Sequence, residues 1–175
     1  MPDVLVSTCD LEVTTRSWTV FEPLTRELDA PYVTLSYDIE TLGLDSAVHP
    51  VVQVGMVFTR ERVRERHLVA LGRVDSIPDA TVHSCATEVE VLLTTRRLIV
   101  ERDPDFVVAY NGINFDNSFL DARAAHHNVQ DFYLLSRFAT RACRLREQQL
   151  SSAGTGDNVL HFFDLPGRVN LDWYV

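Results

Sequence analysis

The sequence predicts an α/β fold in which a mixed central sheet is flanked by helices. Residues 32–40 alternate in polarity and are rich in β-formers, which is typical of a strand. Residues 106–110 form a short apolar run, as expected for a buried strand that lies parallel to the first. Between them, residues 87–100 place apolar side chains at helical spacing. Strands that alternate with helices in this order favour one sheet covered by helices.

The first half of the chain gives three strand predictions. Residues 1–31 contain three prolines and cannot make a core alone, and the first strand follows them. A second strand is predicted at residues 50–58 and a third at residues 67–72. The segment that joins them, residues 60–66, holds four Arg and two Glu. We interpret it as a solvated hairpin turn and not as a DNA-binding patch.

The helix at residues 87–100 has Glu88 and Glu90 near its start, where the helix dipole favours anions. A second helix is predicted from Phe115 to about His127, with His126 and His127 as an ordinary solvated end. The later elements are predicted as a helix at residues 134–150, a flexible loop at 151–156, and strands at 160–163 and 169–171.

Composition limits the function classes. The chain has 175 residues, 46% of them hydrophobic and 23% charged, which suits one globular domain. A net charge of −9 argues against a broad basic DNA-binding surface, although all 16 basic residues are arginine. A metal-dependent nuclease stays possible, because it needs clustered carboxylates whose bound cations reverse the local charge. The three cysteines are far apart and are interpreted as reduced thiols.

Two acidic residues end the first predicted strand. Because strand side chains alternate, Asp38 and Glu40 point to the same face while Ile39 enters the other. They lie about 7 Å apart along the strand, at ~3.3 Å per residue, and can hold one divalent cation between them. Such pairs are also common on ordinary protein surfaces, so this segment alone leaves both interpretations open.

A third acidic residue, Asp116, lies at the start of the helix that follows residues 106–110. Asp is a preferred capping residue, so a purely capping role is a fair alternative. Capping does not explain why two asparagines and Phe115 crowd the same turn, beside the strand expected next to Asp38. We therefore expect Asp38, Glu40 and Asp116 to converge on one side of the sheet.

Together these segments resemble the first two exonuclease motifs of family B DNA polymerases, a D-I-E strand and a Y-N-x-x-x-F-D helix start. Residues 9–13 resemble the connector that leads into this domain in delta-type polymerases. The similarity continues, in order and spacing, at residues 101–112, 146–160 and 166–172. The resemblance covers nearly the whole chain.

This resemblance implies an RNase H-like 3′→5′ exonuclease that proofreads for a DNA polymerase with two metal ions, Mg²⁺ or Mn²⁺. It implies that Asp38 bridges both ions. Glu40 would hold the ion on the nucleophile side and orient its water, and Asp116 would hold the second ion.

The resemblance also implies the partners. Phe115 and Asn111 would grip a single-stranded or frayed 3′ end of DNA by stacking and hydrogen bonding, and Leu42 is a third predicted DNA contact. The other expected partner is the rest of a polymerase chain, with palm, fingers, thumb and N-terminal domains. No membrane partner is expected, and the expected location is intracellular, in the nucleus or in a viral replication compartment.

The third motif of the family, Y-x-x-x-D, is absent from the sequence. Arg137 stands four residues beyond Tyr133, where the motif requires an acid. His126 and Asp131 have the H-x-x-x-x-D spacing of related stand-alone exonucleases. However, His126 lies about 15 Å from Asp116 along the same predicted helix, too far to share its metals.

We therefore expect residues 1–31 to be a connector from a missing N-terminal polymerase domain. Residues 32–175 would be the exonuclease domain, C-terminally truncated before its third motif and inactive or weakly active in isolation. Two alternatives are a free-standing exonuclease of the same fold and a catalytically dead remnant that serves as a scaffold.

Overall fold

The computed structural model describes residues 6–152 and 156–174. Two α-helices and eight strands are formed within these ranges. The elements are β1 (Val33–Thr41), β2 (Val51–Arg60), β3 (Val63–Leu71), β4 (Thr81–Cys85), α1 (Glu88–Arg102), β5 (Phe106–Ala109), α2 (Asp116–His126), β6 (Leu145–Ser152), β7 (Gly156–Phe163) and β8 (Val169–Asp172). Short 3-10 helices lie at Trp18–Val20 and Gln130–Tyr133.

The strands form one six-stranded mixed sheet, in the order β4-β3-β2-β1-β5-β8, and a separate antiparallel pair, β6-β7. β1, β2 and β3 are antiparallel neighbours, whereas β5 is parallel to β1 and β8 is parallel to β5. The predicted fold class, a mixed sheet with helices, is confirmed. Because β1, β5 and β8 are parallel, their carboxyl ends meet at one edge of the sheet.

The core lies between the inward face of the sheet and the helices. Leu35 and Ile39 of β1 are buried in the same cluster as Val91 of α1 and Phe119 of α2. Full burial of a side chain of this size contributes about 1.5–3 kcal/mol. The alternation of β1 therefore fixes which face carries the apolar residues, and it leaves Asp38 and Glu40 on the opposite, exposed face.

The first helix begins and ends as its sequence indicates. The Thr87 side chain accepts a hydrogen bond from the Glu90 N–H (3.2 Å), and the Glu90 carboxylate accepts one from the Ala86 N–H (2.7 Å). These contacts satisfy donors that helix geometry leaves free at the N-terminus. The helix closes at Asp103, which adopts a left-handed conformation (φ 43°).

The helix predicted at residues 134–150 is wrong. Residues 145–152 form β6, which pairs antiparallel with β7. Arg, Glu and Gln in this stretch favour a helix, but propensity is a weak preference that pairing with a second strand overrides. The flexible loop predicted at 151–156 is also wrong at residues 151, 152 and 156, which lie in strands; residues 153–155 lie outside the described ranges.

Two further differences concern β3 and β4. The predicted charged turn at residues 60–66 is only two residues long, because β2 runs to Arg60 and β3 begins at Val63. Glu61 makes this tight turn with a positive φ of 54°, and all seven side chains are exposed, as expected for a solvated hairpin. β4 was not predicted; it pairs parallel with β3 through a short and largely polar sequence.

Before β1, the described chain is mostly irregular. Its main links to the domain run through Ser7 and Thr8, which lie beside Phe138 and Arg137. Cys9, Cys85 and Cys143 are free thiols. Among the described helices, none has the length and apolarity needed to cross a bilayer.

Candidate active site

Asp116 is the centre of the candidate site. It is the first residue of α2, and only 3% of its surface is exposed. Its Oδ1 accepts a hydrogen bond from the backbone N–H of Ile39 at 3.0 Å. This N–H is available because β5 pairs with β1 only as far as Ser36 and Val108. Beyond this point a gap opens beside β1, which we call the slot. The Asp116 side chain enters the slot and contacts β1 at Ile39, between Asp38 and Glu40.

This geometry answers the capping alternative. Phe115 holds the N-cap position of α2, and its side chain makes no capping hydrogen bond. The Asp116 carboxylate reaches across to β1 at Ile39. Its side chain therefore joins helix to sheet, which a simple cap does not do.

The strand carboxylates differ from Asp116 in exposure. Asp38 and Glu40 are exposed on one face of β1, while Ile39 between them is 5% exposed and faces the core. Within residues 6–152 and 156–174, no three His, Cys, Asp or Glu side chains are gathered as a metal-holding group. The structure thus brings Asp116 against the Asp38–Glu40 segment without closing the three carboxylates into one cluster.

The electrostatics of the slot are unfavourable to a further negative charge. Burial raises the pKa of Asp116 to about 6, the charges of Asp38 and Asp172 act in the same direction, and the Ile39 N–H opposes them. Burial likewise raises the pKa of Tyr37, which precedes Asp38 and donates a hydrogen bond to the Asn117 side chain at 2.6 Å. A cation placed in the slot would offset the repulsion of Asp116 by Asp38 and Asp172.

The turn between β5 and α2 has specific backbone requirements. Asn111 has a positive φ of 62°, in the left-handed region that Asn tolerates better than most residues. Its Oδ1 accepts a hydrogen bond from the Asn114 side chain at 2.9 Å. At Gly112 a Cβ would lie 2.4 Å from the Ala109 Cβ, so only glycine fits. Gly112 is therefore a structural requirement of the turn that leads to Asp116, and Asn111 suits its left-handed backbone.

Asp172, at the end of β8, is a site residue that sequence reasoning missed. Its Oδ1 accepts hydrogen bonds from the N–H groups of Asn111 (2.9 Å) and Tyr174 (2.8 Å). Its Oδ2 accepts one from the Ile113 N–H at 2.8 Å. The available signal was an acid at the end of a parallel strand, at the same sheet edge as Glu40 and Asn111. Identifying it required knowledge that β8 is the neighbour of β5.

The other predicted DNA contacts lie around this edge in different environments. Leu42 follows β1, and 70% of its surface is exposed. Phe115 is partly buried and packs on the core, with its ring 5.4 Å from that of Phe119. Leu42 is therefore open to a ligand, whereas Phe115 has a packing role whatever else it contacts.

The histidines of α2 have different surroundings. His126 is exposed at the end of the helix opposite to Asp116, in agreement with the argument against a shared metal. His127 is not the ordinary solvated residue predicted, because its Nε2 lies 2.6 Å from the Glu88 carboxylate. Glu88 is buried and also forms an ion pair with Arg123. It therefore joins α1 to α2, in addition to the favourable interaction with the helix dipole that the sequence predicts.

Comparison with known proteins gives one consistent family. Residues 3–175 match the family described as DNA polymerase family B, exonuclease domain. The DNA polymerase delta catalytic subunit of Dictyostelium discoideum is 30% identical over 175 residues, covering 95% of this chain and 16% of that protein. Its Arabidopsis thaliana counterpart is 34% identical over 151 residues, covering 82% and 14%.

A viral relative is also similar. The DNA polymerase of Pyramimonas orientalis virus is 27% identical over 127 residues, covering 70% of this chain and 10% of that protein. The chain thus spans between 10% and 16% of the length of these three relatives.

Proposed function

The chain belongs to the exonuclease-domain family of family B DNA polymerases, and from that premise we propose that it proofreads for a DNA polymerase by removing mismatched 3′-terminal nucleotides. The observation that carries this proposal is the contact between Asp116 and the Ile39 N–H. It joins the two acidic motifs of the sequence at the carboxyl edge of the parallel strands, where α/β sheets bind their ligands.

Exonuclease domains of this family depend on metal ions in general, and the donor set here fits a hard divalent cation. Carboxylate oxygens are the ligands that Mg²⁺ and Mn²⁺ prefer, and Mg²⁺ is usually held by one or two carboxylates with several waters. The raised pKa of Asp116 is consistent with this assignment: burial raises it most, and the nearby charges of Asp38 and Asp172, which a bound cation would offset, raise it further. We propose that Asp38, Glu40 and Asp116 hold two such ions.

Bound divalent ions supply the charge that activates water and stabilises the leaving 3′ oxygen in reactions of this class. The chain contributes the carboxylates and their placement. Asp38 and Glu40 offer exposed oxygens on the open face of β1, where a DNA end has access. Asp116 is held by the Ile39 N–H, which fixes its carboxylate against the same strand.

The DNA end is proposed to contact Leu42, Asn111 and Phe115 around the same edge. The exposed Leu42 side chain offers apolar surface to a base, and Asn111 offers a hydrogen-bonding side chain. The rest of a polymerase chain is the proposed protein partner. The proposed location is intracellular, in the nucleus or a viral replication compartment.

The activity is tested by the release of mononucleotides from a 3′-labelled single-stranded oligonucleotide with Mn²⁺, by the longest natural polypeptide that carries these 175 residues. We expect release that stops with a chelator and falls about a hundredfold or more in Asp38→Ala, since lost charge stabilisation has effects of this size. Asp164→Ala, which removes a carboxylate bound to Arg146 in an exposed ion pair, is the matched control. Equal activity in Asp38→Ala would refute the assigned site, and absence of release in the parent protein would favour the scaffold alternative.

The DNA contact of Asn111 can be separated from its structural role. Asn111→Gly keeps the left-handed backbone available, so we expect its free energy of unfolding to stay within about 1 kcal/mol of the parent. Asn111→Ala should be less stable than Asn111→Gly, because an ordinary residue in that region costs about 1–2 kcal/mol. Urea titration measures both.

The same variants test the DNA contact. Loss of one hydrogen bond to the 3′ end should weaken oligonucleotide binding by Asn111→Gly about fivefold, equivalent to about 1 kcal/mol, as measured by fluorescence anisotropy. Asn114→Ala is the control, because it removes the same Asn111–Asn114 side-chain bond and is not a proposed DNA contact. If both variants bind DNA equally well, Asn111 has only a structural role.

A further inference from the structure

The Asp172 carboxylate accepts three hydrogen bonds from backbone donors. Oδ1 accepts two N–H groups, from Asn111 and Tyr174, and Oδ2 accepts the N–H of Ile113, all between 2.8 and 2.9 Å. Its oxygens are therefore turned towards the protein backbone, and Asp172 is suited to hold a loop rather than to ligate a cation.

The loop that it holds leads directly to the candidate site. Asn111 and Ile113 lie in the turn that ends at Asp116, and the N–H of Asn117 donates to the Gly112 carbonyl at 2.9 Å. The turn is thus fixed on one side by β8 and on the other by the first turn of α2. A shift of the turn would move the start of α2, and with it the carboxylate that meets Ile39.

We propose that Asp172 is a positioning residue, which clamps the turn at Asn111 and Ile113 and thereby holds the Asp116 carboxylate in the slot beside β1. Asp172 does not touch Ile39, whose N–H hydrogen bond depends only on where Asp116 lies. The functional meaning of this clamp rests on the proposed exonuclease activity. The clamp itself is a property of the metal-free and DNA-free chain.

The Ile39 amide is therefore a reporter for the clamp. In Asp172→Asn an amide NH₂ replaces one carboxylate oxygen and faces a backbone donor, so at least one of the bonds to Asn111 and Ile113 is lost. We expect amide hydrogen exchange at Asn111 or Ile113 to accelerate at least tenfold, and exchange at Ile39 to accelerate by a similar factor. Both are measured by NMR under native conditions, relative to the global unfolding equilibrium of the same variant.

Two further variants serve as controls for this measurement. Asp116→Ala removes the acceptor for the Ile39 N–H and sets the largest acceleration expected there. Asp164→Asn makes the same chemical change in an exposed ion pair with Arg146 and should leave Ile39 unchanged. Unchanged Ile39 exchange in Asp172→Asn, with Asn111 and Ile113 accelerated, would show that Asp172 only closes its own turn and would overturn the proposal.

A measurement on the unmodified chain covers the case in which Asp172→Asn does not fold. Scalar couplings through the hydrogen bonds from Asn111 and Ile113 to the Asp172 carboxylate carbon should be observable, and their absence would overturn the clamp. No DNA or metal is needed, so these results stand whether or not the nuclease assay succeeds. If the nuclease assay detects activity, Asp172→Asn should lower the maximal rate of nucleotide release several-fold. The DNA concentration that gives the half-maximal rate should stay unchanged. General instability does not produce this pattern at temperatures below the melting temperature.

Discussion

Arg123→Met is expected to destabilise the domain by about 3–5 kcal/mol, because it leaves the buried Glu88 carboxylate without its charged partner. Arg123 donates to both oxygens of Glu88, from Nε at 2.9 Å and from Nη2 at 2.6 Å. Both side chains are 5% exposed. His127 and the Val51 N–H complete the set of contacts to Glu88. Urea unfolding monitored by circular dichroism measures the loss.

The double variant Glu88→Gln/Arg123→Met should recover much of this stability. It removes both charges, and the Gln side-chain oxygen can still accept from the Val51 N–H. Replacing a whole buried ion pair is often neutral, whereas removing one partner is costly. A double variant that is less stable than Arg123→Met would contradict this account.

Arg97→Met is the matched control on α1. Arg97 pairs with Glu101 at 3.0 Å, but the two side chains are 47% and 44% exposed. Exposed pairs of this kind contribute about 0–1 kcal/mol. The same substitution is therefore expected to have an effect several-fold smaller than at Arg123.

The effect of Arg123→Met has a defined pH dependence. Burial alone would raise the pKa of Glu88, but the hydrogen bonds from Arg123 and His127 outweigh it, and the pKa is lowered from 4.5. A carboxyl group with a lowered pKa in the folded state stabilises the protein above its ordinary pKa and loses that contribution as the pH falls through the folded value. The difference between the parent chain and Arg123→Met should therefore be largest near neutral pH and shrink in acid.

The ion pair also bears on the site, because Arg123 donates from Nη1 to the Ser46 carbonyl at 2.9 Å. Ser46 lies in the segment between β1 and β2, residues 42–50, which begins with Leu42. Hydrogen exchange in residues 42–50 should accelerate in Arg123→Met by more than in Arg97→Met. That result would link the stability of the domain to the segment that carries Leu42 through one buried guanidinium.

The sequence predicted the elements whose local pattern and tertiary environment agree. β1 alternates because one face is buried and the other exposed, and β5 is continuously apolar because it is a central parallel strand. The pattern failed where pairing partners decide the structure. β6 has helix-favouring residues but pairs with β7. β4 is a polar edge strand that, within the described part of the chain, pairs only with β3.

The candidate site shows the same division. Local spacing was enough to place Asp38 and Glu40 on one face of β1, and parallel pairing with β5 was enough to expect Asp116 nearby. The contact itself, from Asp116 to the Ile39 N–H, depends on the exact point where β5 leaves β1, which no local pattern encodes. The buried pairing of Glu88 with Arg123 and His127 was missed for the same reason.

Asp116→Asn is expected to stabilise the metal-free domain at pH 8 while it abolishes most of the exonuclease activity. The rise of the Asp116 pKa from 3.8 to about 6 corresponds to about 3 kcal/mol, at 1.36 kcal/mol per unit. A group with a raised pKa in the folded state stabilises the protein only below its ordinary pKa, and that contribution is lost as the pH rises through the folded value. Asn has no charge to bury, and its side-chain oxygen can still accept from the Ile39 N–H.

The variant should therefore be about 1–3 kcal/mol more stable than the parent chain at pH 8 and equally stable near pH 4, in urea titrations without metal. Mn²⁺ at millimolar concentration should narrow the gap at pH 8, because a ligand that binds only the folded parent stabilises it by mass action. Asp38→Asn is the control: it removes a charge from the exposed face of the same strand, so its stability gain should be smaller.

Activity should change in the opposite direction. Nucleotide release by Asp116→Asn is expected to fall by about two to three orders of magnitude, as for other losses of preorganised charge at a reaction centre. If Asp116 served only in packing, removing its charge would not make the protein both more stable and less active. That combination is expected of a residue that serves function at a cost in stability. If Asp116→Asn is no more stable than the parent at pH 8, burial of this carboxylate is not costly. If it is more stable and fully active, Asp116 is not a metal ligand and the assignment of the site to Asp38, Glu40 and Asp116 fails.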